Sequence, residues 1–148
     1  MSQIEKALTA PHVIEYTYKR SLGPVLSQFF TALRERRVVG VRRKDGTVLC
    51  PPKEYDPDTG ESLGDMVPLK DTGVVTSWAW VAKPRPQQPL QKPFAYALIR
   101  LDGADTPLLH AVDAGSESRM KTSMRVRARW ADTTTGAIRD IACFEPVD

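Results

Sequence analysis

Apolar residues recur along this chain in two rhythms, one helical and one alternating. Val25, Leu26, Phe29, Phe30 and Leu33 fall at helical spacing, with Ser27, Gln28, Thr31, Arg34 and Glu35 largely on the other side. Gly23-Pro24 opens this segment, because proline suits the first helical turn, where its missing N–H has no partner. The pattern predicts a helix ending near Arg36 or Arg37, with Val38-Val39 and Gly40 interrupting it. Two short strands follow at 38–41 and 47–50. Asp45-Gly46 between them tolerates the positive φ of a tight hairpin turn. Pro51-Pro52 removes two backbone donors and ends the second strand, and residues 55–60 are turn chemistry.

From Thr72 onward the rhythm is that of β-structure. Residues 73–81 form a strand with Val74, Thr76, Trp78 and Trp80 expected on one face. A proline-rich loop spans 82–93, and further strands are expected at 94–101 and 107–112. Residues 116–122 connect as a helical turn. In the next strand, 123–131, Met124, Val126, Ala128 and Trp130 alternate with Arg125, Arg127 and Arg129. A turn at 133–136 leads to the last strand, 137–144. Five strands with a long first loop, and a connector between the third and fourth, predict a Greek-key barrel of the OB type. The organisation is thus an arm at 1–22, a helix at 23–37, a ribbon-like module at 38–71 and a barrel at 72–148. The arm has no strong period; it lies on something or is disordered alone.

A chain of 148 residues suits one domain, or one plus a small module. No apolar run approaches the roughly 18 residues that span a membrane. The start, MSQIEKALTAPHV, lacks a secretory signal pattern. Two cysteines support neither a disulfide framework nor a metal cluster, so a cytoplasmic protein is the expectation. The net charge is +3, with basic residues clustered at Arg34–Lys44 and Arg125–Arg129. Such clusters are most often solvated faces, and an anionic partner is the sharper reading.

A screen for chemistry finds no catalytic constellation. Cys50 precedes two prolines and Cys143 alternates into a core face, where a free cysteine packs as a small hydrophobe. His12 lies in the arm; His110 lies in a strand, where a structural role outweighs a general base. Asp102, Asp105, Asp113, Asp132 and Asp140 sit in turns, where aspartates cap backbone N–H groups. Phosphate-loop, dinucleotide-binding, zinc-protease and serine-hydrolase motifs are absent. Trp78 and Trp80 share a strand; they either stack bases, as OB-folds permit, or fill the core, which is the favoured reading. The arginine stripe either binds phosphate or keeps the barrel soluble.

A basic-ended helix, FFTALRERRVVG, runs into a hairpin followed by PPKEYDPDTGE; a barrel opening TGVVTSWAWV has FAYALIRLDG as its second strand. This order of parts resembles the zinc-ribbon/OB-fold acyl-CoA-associated family, long catalogued as a domain of unknown function beside thiolase-like genes. The likeness spans about 23–144, and GPV before the helix with PPKEYDPDTGE after the hairpin looks like the actinobacterial members linked to steroid side-chain degradation. It implies a rubredoxin-like ribbon before the barrel. Typical members carry two CxxC knuckles, and the matching positions here are Arg42, Asp45, Asp56 and Thr59. Arginine stays protonated and threonine is a poor ligand, so family-level zinc binding is not carried over. A structural zinc contributes roughly 10–16 kcal/mol in small peptides, and an exposed Arg–Asp pair about 0–1 kcal/mol. Packing of Val39, Val41, Val48, Leu49, Pro51, Pro52 and Tyr55 is therefore expected to hold the ribbon.

The resemblance implies a non-catalytic accessory subunit, not an enzyme by itself. Its partner would be a sterol-carrier-type thiolase or thiolase-like retro-aldolase acting on steroid side-chain CoA thioesters. The two would form a hetero-oligomer, with the acyl-CoA shared and no cofactor held tightly. Arg42, Arg43, Lys44, Lys83 and Arg85 are the candidates for CoA-phosphate contact, chosen on charge and loop position. Two other classes remain in view. An OB-fold binder of single-stranded nucleic acid would rest on the basic clusters and Trp78/Trp80. An independent acyl-CoA enzyme would rest on Cys50, for which no base is placed.

Overall fold

The computed structural model describes residues 7–148; the first six residues of the predicted arm lie outside the described residues. Residues 7–22 of the arm carry no secondary structure and are exposed throughout. Helix α1 spans Pro24–Arg34, with Val25, Phe29, Ala32 and Leu33 buried. It ends earlier than the pattern predicts, because Arg36 adopts φ 56°, a left-handed conformation that stops the helix. Its first turn is capped from a distance: the Glu54 carboxylate accepts the N–H groups of Val25 (3.3 Å) and Leu26 (2.9 Å). Glycine is needed at 23 for this reach, since a Cβ there would stand 2.3 Å from the Glu54 carboxyl carbon.

The ribbon is a three-stranded antiparallel sheet. β1 (Val38–Arg42) is central, β2 (Val48–Leu49) pairs on one side and β3 (Asp65–Leu69) on the other. Gly40 lies inside β1, within the strand expected at 38–41. A Cβ there would be 2.8 Å from the Leu49 carbonyl oxygen, so glycine permits the close approach of β2. The sequence reading placed no strand at 65–69. Pro68 lowers the strand signal, yet proline is tolerated here because β3 is an edge.

The barrel is closed by β4 (Thr72–Val81), β5 (Phe94–Leu101), β6 (Leu108–Val112), β7 (Arg125–Trp130) and β8 (Ile141–Pro146). Their order around the barrel is β4-β5-β6-β8-β7, with β6 and β8 parallel, which is the expected OB arrangement. A one-turn helix at Glu117–Arg119 occupies the predicted connector. β8 starts later than the pattern suggests, after a one-turn helix at Ile138–Asp140. Buried Asp140 fixes that corner by accepting the N–H groups of Thr135, Gly136 and Ala137 at 2.7–3.1 Å. Burial works to raise its pKa, but the three donors hold it below the usual carboxylate value.

One expectation about β4 is corrected. A bulge between Val75 and Ser77 reverses which residues face inward. Before it, Gly73 and Val75 are buried; after it, Trp78 and Trp80 turn to the core, opposite Ala97 and Ala95. The small alanines leave room for the indoles. Val74, Thr76, Trp78 and Trp80 therefore do not share one face.

A single core runs through helix, ribbon and barrel. Phe29, Leu33, Val38 and Cys50 cluster with Val75, Ile99, Leu101, Val126, Ile141 and Phe144. Hydrogen bonds stitch the same seam. Val48 donates to the Asp105 carboxylate (2.8 Å), Cys50 donates to the Thr106 hydroxyl (2.9 Å), and the Thr134 hydroxyl donates to the Arg34 carbonyl (2.7 Å).

Candidate functional site

Three regions carry the predicted residues. The first is the former zinc knuckle. Arg43, not Arg42, stands at its centre. Its guanidinium donates to both oxygens of Asp56 at 2.8 and 3.0 Å, also bonds Asp58, and lies 3.4 Å from Asp45. Asp56 is nearly buried and also accepts the N–H groups of Asp58 (2.8 Å) and Thr59 (3.2 Å). The bidentate arginine and these donors hold its carboxyl well below the usual range. Asp45 caps its own turn through the backbone and hydroxyl of Thr47, which lowers its pKa in turn. Thr59 receives the Glu61 N–H, and Arg42 reaches Asp65 at 3.5 Å.

This geometry corrects the expectation that packing alone holds the ribbon. A part-buried, bidentate cluster with extra backbone donors differs in kind from an exposed pair. The four positions do not fit zinc: one is a permanent cation, one an engaged hydroxyl, and the two carboxylates are turned to Arg43. Among the described residues, no three His, Cys, Asp or Glu side chains are placed to hold a metal ion.

The second region is the proline-rich β4–β5 loop. Of the five proposed phosphate contacts, Arg42, Arg43 and Lys44 are engaged with carboxylates, Lys44 with Glu61 at 2.6 Å. Lys83 and Arg85, in the loop, make no ion pair among the described residues. The fold separates the two groups, placing one on the ribbon and the other on the barrel.

The third region was missed in the sequence. A groove of about 650 Å³ runs between the β4–β5 loop (Pro86, Pro89, Leu90), β5–β6 (Tyr96, Leu109, His110) and the corner before β8 (Ile138, Arg139). Ala111 in its lining belongs to a small buried cluster with Phe94 and Cys143, against which Leu90 and Tyr96 pack. Outward-facing Leu98 and Leu109 sit opposite each other on β5 and β6, both exposed. That is the available signal: apolar residues where alternation calls for polar ones, on the strand pair that OB barrels use for binding.

No nucleophile–base pair emerges. Burial pushes the Cys50 thiol up to about 12 and that of Cys143 to about 11. His110 accepts the Ala111 N–H at Nδ1 (2.9 Å) and faces the Ile138 carbonyl with Nε2 (3.5 Å). Its burial lowers its pKa and favours the neutral ring. The arginine stripe is largely neutralised. Arg125 grips Asp102 with two bonds, Arg129 pairs with Asp113 and Glu145, and Arg127 is exposed.

The sequence profile of the ChsH2 C-terminal OB-fold domain matches residues 66–131. Over this stretch the barrel is similar to that domain. The match runs from Met66 in β3 to just past the end of β7, and β8 completes the closed barrel beyond it. Two solved structures share the wider architecture. The Ltp2-ChsH2(DUF35) aldolase has a chain 23% identical to this one, with a TM-score of 0.62 over 86% of this chain and 98% of that chain. A DUF35-family protein of unknown function from Sulfolobus solfataricus is 23% identical, with a TM-score of 0.58 over 72% of this chain and 78% of that one. These two likenesses are of fold. No curated protein matches the sequence.

Proposed function

We propose that the chain is a non-catalytic accessory subunit of a thiolase-like aldolase or thiolase acting on acyl-CoA thioesters. The observation that carries this reading is architectural. Almost the whole of a chain from an aldolase complex is matched by the same fold, and that complex pairs ChsH2 with Ltp2. The buried, poorly ionised thiols and the neutral His110 support it, because they leave acid–base and nucleophilic work to a partner. The accessory chain would order its partner and exclude water around a reactive acyl or carbanion intermediate. Lys83 and Arg85 are the two proposed phosphate contacts whose charges are uncommitted. Steroid side-chain thioesters are the substrate class that the sequence resemblance implies.

The nucleic-acid reading has weaker support. Trp78 and Trp80 pack against the core, which takes away the aromatic platform it relies on. Coexpression with a thiolase-like subunit, followed by affinity capture and an acyl-CoA cleavage assay, tests the proposal. We expect a stoichiometric complex whose activity neither chain has alone. A partner that is soluble and fully active without this chain sinks the idea.

A further inference from the structure

Two features of the chain lack a partner, and they fit each other. The first is the arm. Leu8, Val13, Ile14, Tyr16 and Tyr18 are 64–102% exposed, and among the described residues no hydrogen bond joins residues 7–22 to the rest of the chain. Large apolar side chains so exposed in sequence mark a contact surface. Ile14, Tyr16 and Tyr18 fall on one side of an extended chain, with Val13, Glu15, Thr17 and Lys19 on the other. β-branched and aromatic residues dominate both sides, as strands favour.

The second feature is an edge. β4 pairs with β7 only through Thr72, Gly73 and Val74, and Val75 bonds Ser123 and Met124. Beyond the bulge, residues 77–81 pair with β5 alone among the described residues. The other side of this stretch is a free strand edge inside an otherwise closed barrel. Trp78 and Trp80 stand half-buried on its inner face; Ser77 and Ala79 are exposed on its outer face.

We propose that residues 13–19 of one copy add as a strand to the β4 edge of a second copy, reciprocally. The arm's period-two pattern sets the face. Ile14, Tyr16 and Tyr18 lie over Trp78 and Trp80, while Glu15, Thr17 and Lys19 stay in water beside Ser77 and Ala79. The area suffices: four tyrosines at about 150 Å² each, plus the matching area beneath them, reach the roughly 1,200 Å² at which specific interfaces begin. This assembly is independent of the accessory-subunit reading.

Sedimentation velocity of the full chain should show a concentration-dependent dimer. Tyr16→Asp with Tyr18→Asp, at two exposed positions of the arm, should weaken dimerisation by roughly 100-fold or more with an unchanged circular dichroism spectrum. Disulfide trapping then reads the face. Mixed with an Ala79→Cys protein, Glu15→Cys, Thr17→Cys or Lys19→Cys should crosslink, and Ile14→Cys, Tyr16→Cys and Tyr18→Cys should not. A chain that stays monomeric, a dimer indifferent to the tyrosine variant, or equal trapping at odd and even positions overturns the proposal.

Discussion

The ribbon and the barrel are both built from β-strands, yet their order comes from different physics. The barrel closes on buried apolar alternation: Val75, Ile99, Leu101, Val126 and Phe144 interlock across five strands. The ribbon lends Val38, Val39 and Cys50 to that shared core, and its own cluster is small: Val41 and Leu49, with Val25 of the helix. Its far lobe, the knuckle at 54–62, is closed by Arg43 among three carboxylates and by the turn they stabilise. Where a small module lacks a core, a charge cluster with directed donors can fix its geometry. Unlike a metal, it depends on the ionisation of each member.

The largest expected effect lies in the barrel. Phe144→Ala should cost about 3–5 kcal/mol in urea unfolding, because it removes a fully buried ring from the core that all modules share. Helix, ribbon and barrel should go in one transition. A separate ribbon transition in wild type would show that the seam at Cys50, Thr106 and Asp105 does not couple them.

A smaller and local effect is expected in the ribbon. Arg43→Gln or Asp56→Asn should strip hydrogen-exchange protection from the amides of Asp58, Thr59 and Gly60, and leave that of β5 and β6 in place. Acid should do the same. The folded Asp56 pKa is depressed, so its stabilisation is present above about pH 4 and is lost as pH falls through its folded value. Uniform loss of protection across both modules would refute a cluster confined to the knuckle.

The smallest effect belongs to His110. Its folded pKa is lowered, so its contribution is complete above about pH 6.5 and falls away as pH drops toward the folded value. One such group changes stability by at most about 1.4 kcal/mol per pH unit. His110→Gln should flatten the stability slope between pH 7 and 5; an unchanged slope would mean the ring is already charged or solvated in the fold.

What could be read from the sequence was whatever is local. Period and turn residues marked the helix, the hairpin at Asp45-Gly46 and all five barrel strands, because alternation and positive-φ turns leave their mark within a few residues. β3 was hidden by Pro68, whose edge position depends on a strand order no local pattern encodes. Arg43 was indistinguishable from its neighbours Arg42 and Lys44, since its role arises only when Asp56 and Asp58 fold back to it. The Glu54 cap has the same long-range character. The groove escaped because Leu109 and Ile138, which line it, look like ordinary core residues until the barrel assigns them an outward face.

The bulge in β4 acts as a parity operator on the chain. One extra residue at Thr76 decides whether the even or the odd positions of the next five face inward. Deleting it would leave every residue type in place and yet turn Trp78 and Trp80 out into water, while Ser77 and Ala79 took their places in the core. The two indoles thus owe their burial to a count rather than to their own hydrophobicity. In comparing relatives of this barrel, a single-residue gap at this point weighs more than many substitutions around it.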